Sequence, residues 1–194
     1  WQVLRQDRFL RAMTTAAVVL NFLGAPLFAV ILPVYGMRTY GSATALGTLL
    51  ASFGVGMLAG SLLFSLRGEQ LPRRGLLLGG LALTALPLAA LVALPPLPVA
   101  MAALALAGLG SGPINPLVFT VLQERVPADM RGRVFGTIIG TALAAAPLGM
   151  AAAGFLVESM GVQAVLAIIA GGFLAVAIFA LLAPGFRALD TPVT

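Results

Sequence analysis

From Gly75 to Gln123 the chain runs for 49 residues without a charged side chain. Four further stretches, Ala12–Met37, Thr39–Leu66, Val134–Val157 and Ser159–Phe186, are equally free of charge. A water-soluble globule cannot be built from such runs. A soluble domain carries roughly 25% charged residues to wet its surface; here the figure is 9%, against 60% hydrophobic residues and a mean hydropathy of +1.08. A bilayer is the solvent that suits this pattern, and a helix needs about 20 residues to cross one. The longest run is long enough for two crossings, with Leu94-Pro95-Pro96-Leu97-Pro98 as the turn between them. The predicted fold class is therefore an all-α polytopic membrane protein. A single transmembrane domain spans residues 1–194, with helices at about 11–35, 43–66, 75–94, 97–122, 133–157 and 162–184.

Arginine placement orients these spans. All eleven basic residues are Arg. The segment before helix one holds Arg5, Arg8 and Arg11, the first loop Arg38, and the second loop Arg67, Arg73 and Arg74. The third loop has none, the fourth has Arg125, Arg131 and Arg133, the fifth has none, and the tail has Arg187. With both termini in the cytoplasm, ten arginines lie inside and one outside, as the positive-inside rule requires. The segment Gln123–Arg133 (QERVPADMRGR) is then a cytoplasmic loop; Arg at mid-bilayer costs about 2.5–3.5 kcal/mol, so charge collects between spans. Together with the richness in Ala, Gly, Pro and Leu, Arg without Lys points to a GC-rich bacterial source and to a multi-pass protein of the bacterial cytoplasmic (inner) membrane. The first residue is Trp, and no cleavable signal peptide precedes the first apolar run. The expectation is a processed chain or, more readily, a fragment.

Absent residue types exclude several functions. Without Cys or His there is no disulfide, thiol catalysis or Ser-His triad, and nearly all zinc sites are ruled out. No metal site and no enzymatic activity are expected. Gly110-Ser111-Gly112 superficially resembles an intramembrane serine protease, but that site needs a His base. The arginines form no stripe with interleaved aromatics, so the net charge of +5 is no nucleic-acid footprint. No acid lies inside a span; Glu158, at the outer end of helix five, comes nearest. A proton relay would need an intramembrane carboxylate.

The six helices divide into two triplets of opposite direction, since helix one runs inside to outside and helix four outside to inside. Inverted triplets of this kind build many secondary transporters. The first helix of each triplet carries one of the chain's two Asn residues beside helix-bending Pro. Asn21 precedes Pro26, and Asn115 lies between Pro113 and Pro116. Both Asn fall about 12–15 Å deep at 1.5 Å per residue. Paired Gly/Pro-interrupted helices are a pointer to a transporter's binding site. Asn21 and Asn115 are thus candidate cavity residues, with Thr14, Thr120 and Ser111 as weaker companions. Two readings stand side by side: the amides line a cavity, or each only bonds a neighbouring helix. Among the third helices, helix three has Thr84 as its only polar residue and helix six has Gln163 near its outer end; both read as lipid-facing walls. Small residues recur every four positions in the second helices, at Ser52, Gly56 and Gly60 and at Gly136, Gly140 and Ala144. Such stripes let helices approach closely. Left uncovered, these faces would make dimerisation plausible.

Two segments carry a resemblance to a known family. Gly60 through Arg73-Arg74 (GSLLFSLRGEQLPRR) is similar to the cytoplasmic loop motif of the major facilitator superfamily, written G-x-L-a-D-r-x-G-r-r, with Glu69 the nearest acid in place of the expected Asp-Arg. Asn115-Pro116-Leu117 through QERVPADMRGRVFG resembles the helix-ten to helix-eleven region of bacterial drug, macrolide and siderophore exporters. The resemblance covers nearly the whole chain. It implies the C-terminal six-helix half of that fold, with a second six-helix half fused upstream or supplied separately. It also implies that helices one and four line the central cavity, that two and five face the other half, and that three and six face lipid. Gly140…Pro147-Leu148-Gly149…Gly154 echoes the family's antiporter motif, with Pro147 as a further bend. That motif belongs in the other half and does not decide antiport.

Arg67, Glu69, Arg73, Arg74, Glu124, Arg125, Asp129, Arg131 and Arg133 are candidates for a cytoplasmic gate. Asp129 is the expected N-cap of helix five, and Glu124 is expected to pair with Arg131 or Arg133 when the cytoplasmic ends close. The alternative is that these charges set topology alone. The functional expectation is half of a secondary exporter of small amphipathic molecules, working by alternating access. No cofactor is expected, a proton gradient acting through the missing half being the driving force. Its partners would be membrane lipids, the substrate and the second half. An uptake or lipid-handling transporter of the same fold, or a non-transporting fragment or scaffold, is the alternative.

Overall fold

The computed structural model describes residues 7–187 and Leu189. Arg5 lies outside them, as does the side chain of Glu69. Six long helices and no strand are found among the described residues. They are α1 (Arg8–Tyr40), α2 (Ala43–Arg67), α3 (Arg73–Ala93), α4 (Leu97–Arg125), α5 (Arg131–Met160) and α6 (Val162–Leu182), followed by a short α7 (Pro184–Arg187). In hydrocarbon every backbone amide must be satisfied within the chain, and the helix does this locally. α1 begins at Arg8, earlier than the apolar run, because the Asp7 carboxylate caps it by accepting from the Phe9 and Leu10 amides at 2.7 and 3.3 Å. It ends at Gly41, whose φ of 64° is the left-handed geometry of a C-cap. The Ser42 hydroxyl then caps α2.

Side-chain contacts divide the bundle into two ends. At one end, Arg73 meets Glu124, Arg74 reaches the Leu181 carbonyl, and Phe9 packs on Phe186 at 6.2 Å between ring centroids. At the other, the Tyr40 hydroxyl donates to the Pro95 carbonyl at 2.6 Å and the Gln163 amide to the Val92 carbonyl at 3.0 Å. Neighbours in space follow the order α2, α4, α3, α6, α1, α5. Read backwards, that order exchanges α1 with α4, α2 with α5 and α3 with α6, as an inverted repeat of three-helix units requires. Two apolar cores stack along the bundle axis. The one at the arginine-rich end contains Phe9, Met13, Leu81, Val121 and Phe186. The one at the opposite end contains Ile31, Tyr35, Leu88, Leu104 and Leu166.

Small residues set the closest contacts. Lipid tails are as apolar as Leu, so close packing rather than water exclusion must hold helices together. A Cβ added at Gly56 or Gly60 of α2 would overlap the Ala105 or Leu109 carbonyl of α4. One added at Gly108 or Gly112 of α4 would overlap the Phe53 or Met57 carbonyl in return. Across the same seam the Ser61 hydroxyl donates to the Gly112 carbonyl at 3.0 Å. The symmetry-related seam, α5 on α1, is formed by Gly149 against the Phe22 carbonyl. This corrects the expectation of two free small-residue faces. The α2 stripe is consumed inside the chain, and only the α5 stripe, Gly136, Gly140 and Ala144, stays exposed. The Thr84 side chain is likewise turned away from lipid: it is buried, donating to the Gly80 carbonyl at 2.8 Å and the Ala107 carbonyl of α4 at 3.2 Å.

Candidate functional site

Both helices marked by Asn are irregular. In α1, Pro26 is followed by a π-helical turn, Leu27–Ile31, closed by the Leu32 amide on the Leu27 carbonyl. Such single π turns are frequent at functional sites. Pro26 lacks the N–H that would bond the preceding turn, but the length and register of the π turn carry no signal in the sequence. In α4, Pro113 and Pro116 interrupt the helix, which runs as Leu97–Ser111 and then Ile114–Arg125. Pro147, by contrast, lies within an unbroken α5.

The two Asn residues line one cavity of about 100 Å³ enclosed by α1, α3, α4 and α6. Asn21 lies thirteen residues into α1, and Asn115 ten residues from the end of α4. The Asn21 amide nitrogen donates to the Ala17 carbonyl of its own helix at 2.9 Å, and the side-chain oxygen has no protein donor among the described residues. Asn115 is exposed and makes no hydrogen bond among the described residues. Other lining atoms, from Met13, Leu20, Leu81 and Val176, are apolar. The weaker candidates lie elsewhere. Thr14 donates to Leu10, Thr120 to Pro116 and Ser111 to Gly108, each within its own helix, and none lines the cavity. Liquid water takes about 30 Å³ per molecule, so this space holds a few waters. Drug-sized ligands occupy roughly 300–1,000 Å³.

The charged loops are built differently from the expectation. Glu124, at the end of α4, forms a two-pronged pair with Arg73 at the start of α3, one prong being Nη2 to Oε1 at 2.8 Å. Arg131 does not meet Glu124. Its Nε donates to the Val126 carbonyl at 3.1 Å and its Nη2 to the Gln123 carbonyl at 2.7 Å. A guanidinium there faces the negative end of the α4 dipole. Arg74 does the same at the end of α6, donating to the Leu181 carbonyl at 2.5 Å. Arg125 lies over the Phe9 ring at 4.7 Å from the centroid, a cation–π contact. Asp129 is not the cap of α5: that position is Met130, no side chain caps the helix, and Asp129 sits exposed in the preceding turn. Arg67 and Arg133 are exposed. Glu124 has several Arg within reach in sequence, and only the lateral arrangement of α3 beside α4 decides between them.

Because the Arg73–Glu124 pair is about one-third exposed, its worth is modest. A double-mutant cycle with Arg73→Gln and Glu124→Gln should give a coupling of about 1 kcal/mol in unfolding free energy, the upper range for exposed pairs. A coupling of the same size between Glu124 and Arg131 would contradict the assigned partner.

An inverted pair of three-helix units, with a broken first helix in each and paired amides at similar depth, defines a polytopic membrane protein with the architecture on which many secondary transporters are built. The family model described as Major Facilitator Superfamily matches residues 14–192. The chain belongs to that superfamily. Among curated relatives, it is 34% identical over 185 residues to the multidrug efflux pump Tap of Mycobacterium tuberculosis (strain ATCC 25618 / H37Rv), covering 94% of this chain and 43% of that protein. It is 30% identical over 181 residues to the multidrug efflux pump Tap of Mycolicibacterium fortuitum, covering 93% and 44%. The chain thus spans less than half the length of these relatives. No solved structure matches it.

Proposed function

We propose that this chain is one half of a secondary active exporter of small amphipathic molecules, working by alternating access in the bacterial cytoplasmic membrane. The observation that carries the reading is the shared cavity of Asn21 and Asn115. Equivalent positions of two inverted repeats converge there, beside the π turn of α1 and the break of α4. Both irregularities let a helix bend at the depth of the site. The cavity is too small for a drug-sized molecule alone, which fits an alcove completed by a facing six-helix half. The names of the relatives support efflux as the direction. Apolar lining with two amides suits amphipathic cargo, which is held mainly by dispersion and oriented by one or two hydrogen bonds.

The arginine-rich end faces the cytoplasm on this reading, as do both termini. Arg73–Glu124 ties α3 to α4 across the boundary between the repeats, and Arg131 and Arg74 seat on the ends of α4 and α6. These contacts let the half rock as one body, while Arg67 and Arg133 remain free to meet the facing half. Cells expressing the native-length protein should extrude an amphipathic dye such as ethidium. A proton uncoupler should raise dye retention to the level of cells lacking the protein. Extrusion that survives the uncoupler would defeat the gradient-driven reading.

A further inference from the structure

Arg73, Arg74, Arg125 and Arg131 have protein partners at this end, whereas the side chains of Arg8 and Arg11, like those of Arg67, Arg133 and Arg187, have none among the described residues. Both are exposed, and neither side chain makes a hydrogen bond or ion pair with another described residue. They border a groove of about 380 Å³ between the start of α1 and the end of α6, which Thr15, Phe179, Ala183 and Pro184 complete. The groove is shaped by close backbone packing. A Cβ on Gly185 would sit 2.7 Å from the Arg8 carbonyl oxygen, so only Gly lets the turn after α6 lie against α1 there.

Arg8, Arg11 and Thr15 follow the i, i+3, i+7 spacing of one helix face. Thr15 lies about 10 Å along the axis from Arg8 at 1.5 Å per residue. Its hydroxyl is also left over, as those of Thr39 and Thr44 are elsewhere in the chain. Thr14, Thr84, Thr120, Thr137 and Thr141 each donate to the carbonyl one turn back, whereas Thr15 is exposed and makes no hydrogen bond among the described residues. Descending from the end of the bundle, the groove therefore offers two unpaired guanidinium groups, then a free hydroxyl and the exposed Phe179 ring.

We propose that this groove binds an anionic phospholipid. The two guanidinium groups take the phosphate diester, which their planar forks match. The Thr15 hydroxyl reaches the glycerol and ester oxygens, and an acyl chain lies against Phe179. A basic pocket between transmembrane helices is a recurrent headgroup site. The proposal holds whether or not the protein exports drugs.

Native mass spectrometry of the native-length protein in mild detergent tests it, with phosphatidylglycerol and phosphatidylcholine of identical acyl chains as probes. Phosphatidylglycerol should bind about twenty-five-fold more tightly, roughly fivefold for each arginine at the surface. Arg8→Gln with Arg11→Gln should abolish that preference, and Arg8→Lys with Arg11→Lys, which keeps the charge, should retain most of it. Arg67→Gln with Arg133→Gln, at the same end but outside the groove, should leave it intact. Equal binding of the two lipids, or an equal loss in the Arg67/Arg133 variant, would overturn the assignment. So would full displacement by millimolar inorganic phosphate, which would make the groove a simple anion site.

Discussion

Gly56→Leu lowers the unfolding midpoint of the protein in detergent by about 6–12 °C. The α2–α4 seam has no room: a Cβ at Gly56 would overlap the Ala105 carbonyl, and Gly108 faces the Phe53 carbonyl across the same seam with as little space. The obstacle is main chain, which no rotamer change can move aside. The helices must separate along the whole seam, which forfeits dispersion contacts and the Ser61–Gly112 hydrogen bond together. Overpacking typically costs 1–3 kcal/mol, and an obstruction by backbone on both sides belongs near about 3 kcal/mol. A shift of about 2–4 °C per kcal/mol for a chain of this size gives the stated range. Gly140→Leu is the control, since nothing lies within 4 Å of its Cβ position. Its midpoint should move by less than about 2 °C, because Gly in a helix interior is already the weaker former. Equal shifts for the two variants would mean that the seam does not hold α2 to α4.

The second large effect falls on transport. Asn115→Leu in the native-length protein should cut dye efflux about tenfold at unchanged membrane abundance, the loss of one hydrogen bond to a neutral group of the bound cargo. Asn21→Leu should cost a similar factor, since its side-chain oxygen is the part left over for a ligand. Leu keeps the volume and removes the amide, so a packing role and a binding role separate. If the amides only brace the bundle, Asn21→Leu lowers the unfolding midpoint and Asn115→Leu, exposed and unbonded in this half, changes neither stability nor efflux. Thr120→Val and Ser111→Ala should change efflux less than about twofold, because their hydroxyls are spent on their own helix backbones. A larger loss in these variants would move the site away from the shared cavity.

Much of this molecule was legible in one dimension. A bilayer admits long apolar runs and rejects charge, and it demands that each backbone satisfy itself locally. The number of helices, their approximate ends and the gathering of arginine at one end therefore follow from where charges stand along the chain. The inverted repeat was legible too, because paired Asn and Pro recur at matching positions of α1 and α4. Lateral choices were not. Gly56 and Gly136 look alike as members of four-residue stripes, yet one is sealed against Ala105 and the other faces open space. Glu124 had Arg131 and Arg133 nearby in sequence and pairs instead with Arg73, 51 residues away. Thr84 read as a lone polar residue on a wall and is buried on α4. Between helices in lipid there is no water to exclude, so no hydrophobic periodicity announces which face meets which neighbour. The placement of charge along the chain is enough to say what crosses the membrane, where, and which end is rich in arginine. Which helices touch, which carboxylate meets which guanidinium, and that two amides 94 positions apart share one cavity emerge in three dimensions alone, because those outcomes rest on short-range contact between surfaces that the chain order does not encode.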